Sequence, residues 1–144
     1  MQMNNSMNMM NNSVLETDLA LLRRNAESIV RAIPAGTKLL PVLKCAAYGL
    51  GAAEIARVLE PLEAVAGFAV AHVSEGLALR NAGITKDILV MSSALPWQLS
   101  AAVEANLTLA CGRAGFASEL QAAAEAAGKP AAIHIKIDTG LHRI

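Results

Sequence analysis

Apolar residues along this chain alternate between two spacings. Between Thr17 and Ile33 they recur at Leu19, Leu22, Ile29, Val30 and Ile33, which predicts a helix. Thr17 is the predicted N-cap, Asp18 suits the positive first turn, and Pro34 with Gly36 ends the helix. KLLPVLK (38–44) then reads as a strand and GAAEIARVLE (51–60) as a helix closed by Pro61. The pair repeats as AGFAVA with VSEGLALRNAG, DILVMS with WQLSAAVEA, and LTLACG with AGFASELQAAAEAAG. AAIHIKIDTG (131–140) reads as a fifth strand.

Short apolar strands alternating with helices predict a parallel α/β array, with strands covered on both faces. A doubly wound open sheet and a (β/α)8 barrel both produce this beat. The dinucleotide-binding fold asks for G-x-G-x-x-G directly after the first strand. Here Gly49 and Gly51 come late, and Glu54 stands at the third glycine position. A complete barrel takes about 250 residues, and this chain has 144. The expected fold is therefore the first half of a (β/α)8 TIM-type barrel, about five parallel strands with intervening helices.

Composition narrows the partners. The chain is 54% hydrophobic with few aromatics, which suits close helix–sheet packing and argues against disorder. Twelve basic and twelve acidic side chains cancel, leaving no field to draw in nucleic acid or an anionic membrane. Two cysteines, Cys45 and Cys111, without metal-ligand spacing suit a reduced, cytoplasmic protein. The Met/Asn-rich opening, residues 1–12, lacks the basic and apolar regions of a secretory signal and reads as a disordered tail ahead of a domain over 13–144.

In parallel βα folds the working residues sit at the C-terminal ends of strands. Lys44 ends the first strand on the same face as Leu40 and Val42. An amine partly desolvated there is a better nucleophile toward a carbonyl, which points to Schiff-base chemistry. By spacing alone the commoner role is the plainer one, since strand-terminal lysines usually just reach back to water. His134, Lys136 and Asp138 share a face of the last strand, but no third metal ligand has suitable spacing, so no metal is expected. Glu75 reads as ordinary compensation of a helix dipole, and Ser92 and Ser93 as loop solvation.

Two motifs shift the balance. KCAAYGLG, beginning at Lys44, resembles the pyridoxal-phosphate lysine motif K-A-N-A-Y-G-H-G of the alanine racemase family. IHIKIDTGLHRI resembles the family's strand motif H-[LI]-K-[VIL]-D-T-G-M-x-R, and the two lie about ninety residues apart, as the family spaces them. The resemblance covers residues 13–144. It implies an amino-acid racemase, an isomerase interconverting L- and D-alanine for peptidoglycan, with pyridoxal 5′-phosphate as cofactor and a homodimer as the full-length enzyme. Lys44 would carry the cofactor aldehyde and act as one of two bases. Tyr48 would hydrogen-bond its phosphate, and Arg143 would touch its phenolic oxygen and seat the substrate carboxylate. Lys136 matches a lysine often carbamylated in the family, whose added charge would steady that arginine.

The chain departs from the motif at Ala46, where the family has asparagine, at Leu50, where it has histidine, and at Cys45. These changes bear on rate more than on identity. The resemblance also implies that the second base, a tyrosine of the partner's β-domain, and the late barrel strands lie outside this sequence, with the C-terminal half and β-domain absent. The chain is then expected to be inactive alone. The alternative is a non-catalytic half-barrel that binds the cofactor or associates with itself through its open edges. AYGLG argues against a relative of the single-domain pyridoxal-phosphate homeostasis proteins.

Overall fold

The computed structural model describes residues 13–142, so the opening segment 1–12 and residues 143–144 lie outside the described residues. Helix α1 (Leu19–Ala32) starts beside the cap expected from sequence. Asp18 rather than Thr17 is the N-cap, its Oδ1 accepting the Leu21 N–H at 2.8 Å. Aspartate serves as well as threonine in this role, and here it is the residue that reaches the orphan donor.

The next segment, 39–43, runs beside strand β1 (Gly67–Val70) without forming a regular ladder. Leu39 bridges to Val65 and Val42 to Ala69, so β1's side carries one extra residue between the two bridges. Pro41 accounts for this. It has no N–H to donate, yet its carbonyl still accepts from Ala69 at 2.9 Å, and the register slips at that residue.

The remaining strands, β2 (Asp87–Val90), β3 (Thr108–Cys111) and β4 (Ile133–Ile135), follow in the sheet order β1-β2-β3-β4, all parallel. A doubly wound sheet reverses its strand order at a switch point. Here the order is strictly sequential. With right-handed crossovers that places every connecting helix on one side, the geometry of a barrel wall. Helices α3 (Ala52–Leu59), α4 (Val73–Asn81), α5 (Leu99–Glu104) and α6 (Phe116–Ala127) pack in chain order, with α1 against α3. The fifth strand foreseen over 131–140 is regular only at Ile133–Ile135.

Phe68, Ile88, Leu79, Leu109 and Phe116 form the centre of the core, each essentially sealed from solvent. Burying a side chain such as Phe68 contributes about 2–3 kcal/mol. Gly67 lets β1 approach β2 closely, because a Cβ there would run into the carbonyl oxygen of its partner Asp87. The core thins toward the edge of the array. All three β4 residues are exposed, and Ile135 and Ile137 are each 77% exposed.

Long cationic side chains stitch the N-terminal ends of the strands together. Lys38 Nζ donates to the Glu63 carbonyl, Arg57 Nε to Ala82, Arg80 Nε to Ala105 and Lys129 Nζ to Glu104. Each stitch joins residues 25 apart, one βα unit to its neighbour. Lys86 Nζ similarly donates to Leu62 and Val65 at 2.7 and 2.6 Å.

Candidate functional site

The opposite, C-terminal ends of the strands carry the candidate chemistry. Lys44 follows the first segment as expected, but it does not simply terminate a strand. It opens α2 (Lys44–Tyr48), a single turn of left-handed helix in which Cys45, Ala46, Ala47 and Tyr48 hold φ of 53°, 53°, 55° and 57°. For L-residues this conformation costs roughly 1–2 kcal/mol each, so something must hold it.

The holding groups are visible. Within the turn, the Ala47 N–H donates to Leu43 O at 2.9 Å, Gly49 N–H to Cys45 O at 3.0 Å and Gly51 N–H to Ala46 O at 3.0 Å. Gly49, at φ 88°, continues the left-handed path where a side chain would add further strain. Leu43 and Ala47 are buried and anchor the turn's inner side. From outside the turn, Glu75 Oε1 accepts the Cys45 N–H at 2.6 Å. Its other oxygen accepts the Ala71 and His72 N–H groups at 2.8 and 3.0 Å, where β1 passes into α4. Partial burial pushes the Glu75 carboxyl up. The hydrogen bonds from Cys45, His72 and Ala71 outweigh this and hold it below the ordinary carboxylate value. Glu75 therefore does more than balance a helix dipole, and no local sequence spacing foretells a contact thirty residues away.

Beside the turn lies a cleft of about 400 Å³ lined by Val42, Lys44, Tyr48, Ala71, Ser92 and Lys136, with Met91 at its wall. The first segment, β1, β2 and β4 each deliver side chains to it from their C-terminal ends. Lys44, Tyr48 and Lys136 of the sequence-derived set are thus brought together. Arg143 lies outside the described residues. Lys44 is half-buried, and its Nζ sits 5.9 Å from the centre of the exposed Tyr48 ring. Among the described residues, none that lines the cleft is a carboxylate. Two amines, a phenol and the Ser92 hydroxyl make a donor set that fits an anionic, phosphate-bearing aldehyde.

Past Lys136 the chain turns sharply. Asp138 Oδ1 accepts the Gly140 and His142 N–H groups at 2.9 and 3.0 Å. Those bonds keep the Asp138 carboxyl below its ordinary value. Among the described residues no group of three His, Cys, Asp or Glu side chains could hold a metal ion, and no helix is long and apolar enough to cross a membrane. A separate groove of about 420 Å³ between α1 and the first segment is almost wholly apolar, with Leu22, Ile29, Leu39, Leu40 and Leu59 among its lining. It lacks amines, carboxylates and imidazoles, so the chemistry belongs to the cleft at the strand ends.

Fold and cleft together define a class: the N-terminal half of a parallel (β/α) barrel with its polar groups gathered at the strand ends. Within that class, the chain belongs to the family described as "Alanine racemase, N-terminal domain", which matches residues 17–144. A curated alanine racemase from Geobacter sulfurreducens is 41% identical over 132 residues, covering 92% of this chain and 34% of the relative. The solved alanine racemase of Clostridium difficile 630 in complex with cycloserine aligns with a TM-score of 0.82 at 34% identity, over 85% of this chain and 34% of that one. A histidine racemase from Leuconostoc mesenteroides aligns with a TM-score of 0.77 at 25% identity, over 88% of this chain and 33% of that one. The chain thus spans about a third of the length of the relatives it matches.

Proposed function

We propose that the cleft binds pyridoxal 5′-phosphate through Lys44, and that the protein is an alanine racemase. Its role is interconversion of L- and D-alanine for peptidoglycan, as a cytoplasmic homodimer. The observation that carries this reading is the meeting of Lys44, Tyr48 and Lys136 in one cleft without a carboxylate to neutralise the amines. Bound there, the cofactor supplies the electron sink that makes the α-proton of an amino acid removable.

The chain's own residues divide the remaining work. Lys44 Nζ attaches the cofactor and holds or returns the α-proton on its face of the amino acid. The Tyr48 hydroxyl donates to a phosphate oxygen. Arg143 would hold the cofactor's phenolic oxygen and the substrate carboxylate. A carbamate on Lys136 would offer that guanidinium a fork-shaped, charge-assisted contact. One lysine serves one face, and the second base belongs to a part of the family's fold outside this sequence. The likeness to a histidine racemase supports placing the choice of amino acid outside this half.

The test is to mix the chain with pyridoxal phosphate, reduce with borohydride and locate the label by mass, with Lys44→Ala as control. Selective label at Lys44, lost in the variant, supports the reading. Lys38, Lys86 and Lys129 are occupied with backbone carbonyls, so label spread evenly over them would count against an organised site.

A second reading is favoured by the exposed Leu40, Val42, Ile135 and Ile137 at the two edges of the array. On this reading the chain is a non-catalytic half-barrel that associates through those edges. Sedimentation showing a monomer at high concentration would exclude it.

A further inference from the structure

We infer that Glu75 is the positioning residue for Lys44: its carboxylate fastens the left-handed turn that presents the lysine amine to the cleft. The inference rests on the cofactor reading above for its consequence, though not for its geometry. Four consecutive non-glycine residues at positive φ are held by few groups from elsewhere in the fold. The only side chain hydrogen-bonded to the turn's backbone, among the described residues, is Glu75. It accepts the N–H of Cys45, the residue directly after Lys44, at 2.6 Å, a short contact of the kind an ionised acceptor favours.

The same carboxylate has a second duty. Its Oε2 receives the Ala71 and His72 N–H groups and so starts α4 on the end of β1. Glu75 therefore ties two strand ends together, that of the first segment and that of β1, and both border the cleft. Ala46 and Glu75 also line one hollow of about 330 Å³. Alanine at this position provides no side-chain hydrogen bond that could share the load. All three donors are N–H groups, so only a doubly accepting carboxylate satisfies both sides at once.

Three variants separate the duties. Glu75→Asp is one methylene shorter; it still reaches the helix start, where aspartate is an accepted partner, but not Cys45. Glu75→Gln offers one accepting oxygen and must release one side. Arg80→Lys serves as a destabilised control whose change is remote from the turn. For Glu75→Asp the expected result is an unchanged far-UV spectrum and a melting temperature lowered by a few degrees, no further than in Arg80→Lys. Exchange of the Cys45 amide, followed by NMR, should be faster by about tenfold or more, as loss of one hydrogen bond to a charged group implies. Borohydride trapping of pyridoxal phosphate should also lose its preference for Lys44, while Arg80→Lys keeps it.

Unchanged Cys45 exchange in both folded Glu75 variants would overturn the inference, as would full Lys44 selectivity despite faster exchange. If the parent chain itself shows no preference for Lys44, the cofactor reading fails instead. The exchange rate then still decides whether Glu75 holds the turn.

Discussion

The Lys44 amine and the Tyr48 ring stand 5.9 Å apart at opposite ends of one left-handed turn. The two side chains can therefore be tested separately. Tyr48→Phe keeps the ring beside the amine and removes only the hydroxyl. Its dissociation constant for pyridoxal phosphate should rise roughly tenfold, the worth of a hydrogen bond to a charged group, with Lys44 still the trapped lysine. Tyr48→Ala removes the ring as well and should weaken binding further. A fluorescence titration of each variant checks both.

The turn also predicts an inverted response to small substitutions. Ala46 is exposed and sits at φ 53°. Glycine is free of the left-handed penalty and gives up only part of that gain through its looser unfolded chain. Ala46→Gly should thus stabilise by about 0.5–1 kcal/mol. Ala46→Val, with a branched Cβ, should destabilise by more than that gain. Urea unfolding midpoints report both signs.

Arg80 donates to four carbonyls, those of Ala105, Ile84, Lys86 and Asn106, at 2.7–2.9 Å. Removing it leaves several half-buried acceptors without their donor. Arg80→Ala should cost about 3 kcal/mol or more. Arg80→Lys should recover less than half, because one ammonium cannot span the spread of a guanidinium. Thermal unfolding of the pair distinguishes loss of charge from loss of shape.

Acid should weaken the fold through two glutamates. Like Glu75, Glu60 is pushed up by partial burial and pulled further down by hydrogen bonds from Lys86 and Thr85. Both carboxyls titrate below the ordinary 4.5 in the folded protein. Each therefore adds stability that is fully present above that value and is lost as pH falls through the lower folded value. Stability measured in urea should decline on acidification below about pH 4.5. The decline should be shallower in Glu60→Gln, which is already weaker at neutral pH.

Much of the architecture is legible in the alternation of apolar runs and helical spacings, because each βα unit is specified locally. Gly128, for instance, ends α6 in the left-handed conformation that its position before Pro130 implies. Two features escape such reading. Pro41 sits inside a run that looks like a regular strand, and only its neighbour's register reveals the slip. The residues Cys45-Ala46-Ala47 favour a right-handed helix by propensity, and the left-handed path depends on tertiary ties, above all the distant Glu75. Lys44, Tyr48 and Lys136 are legible because strand ends converge in parallel arrays. The clamp behind Lys44 is not, because thirty residues of chain separate its two halves.

The stitches at the N-terminal strand ends bear on how the molecule comes apart. Each joins a unit to the next one along, at a constant separation of 25 residues. Coupling of this kind resembles that of a repeat array, where stability is a sum of units and nearest-neighbour terms. Unfolding should then fray inward from the poorly covered β4 end, one unit at a time, while the β1–β2 pair stays protected longest. The same arithmetic lets a wall of this type grow or shrink by whole units without re-engineering the units that remain.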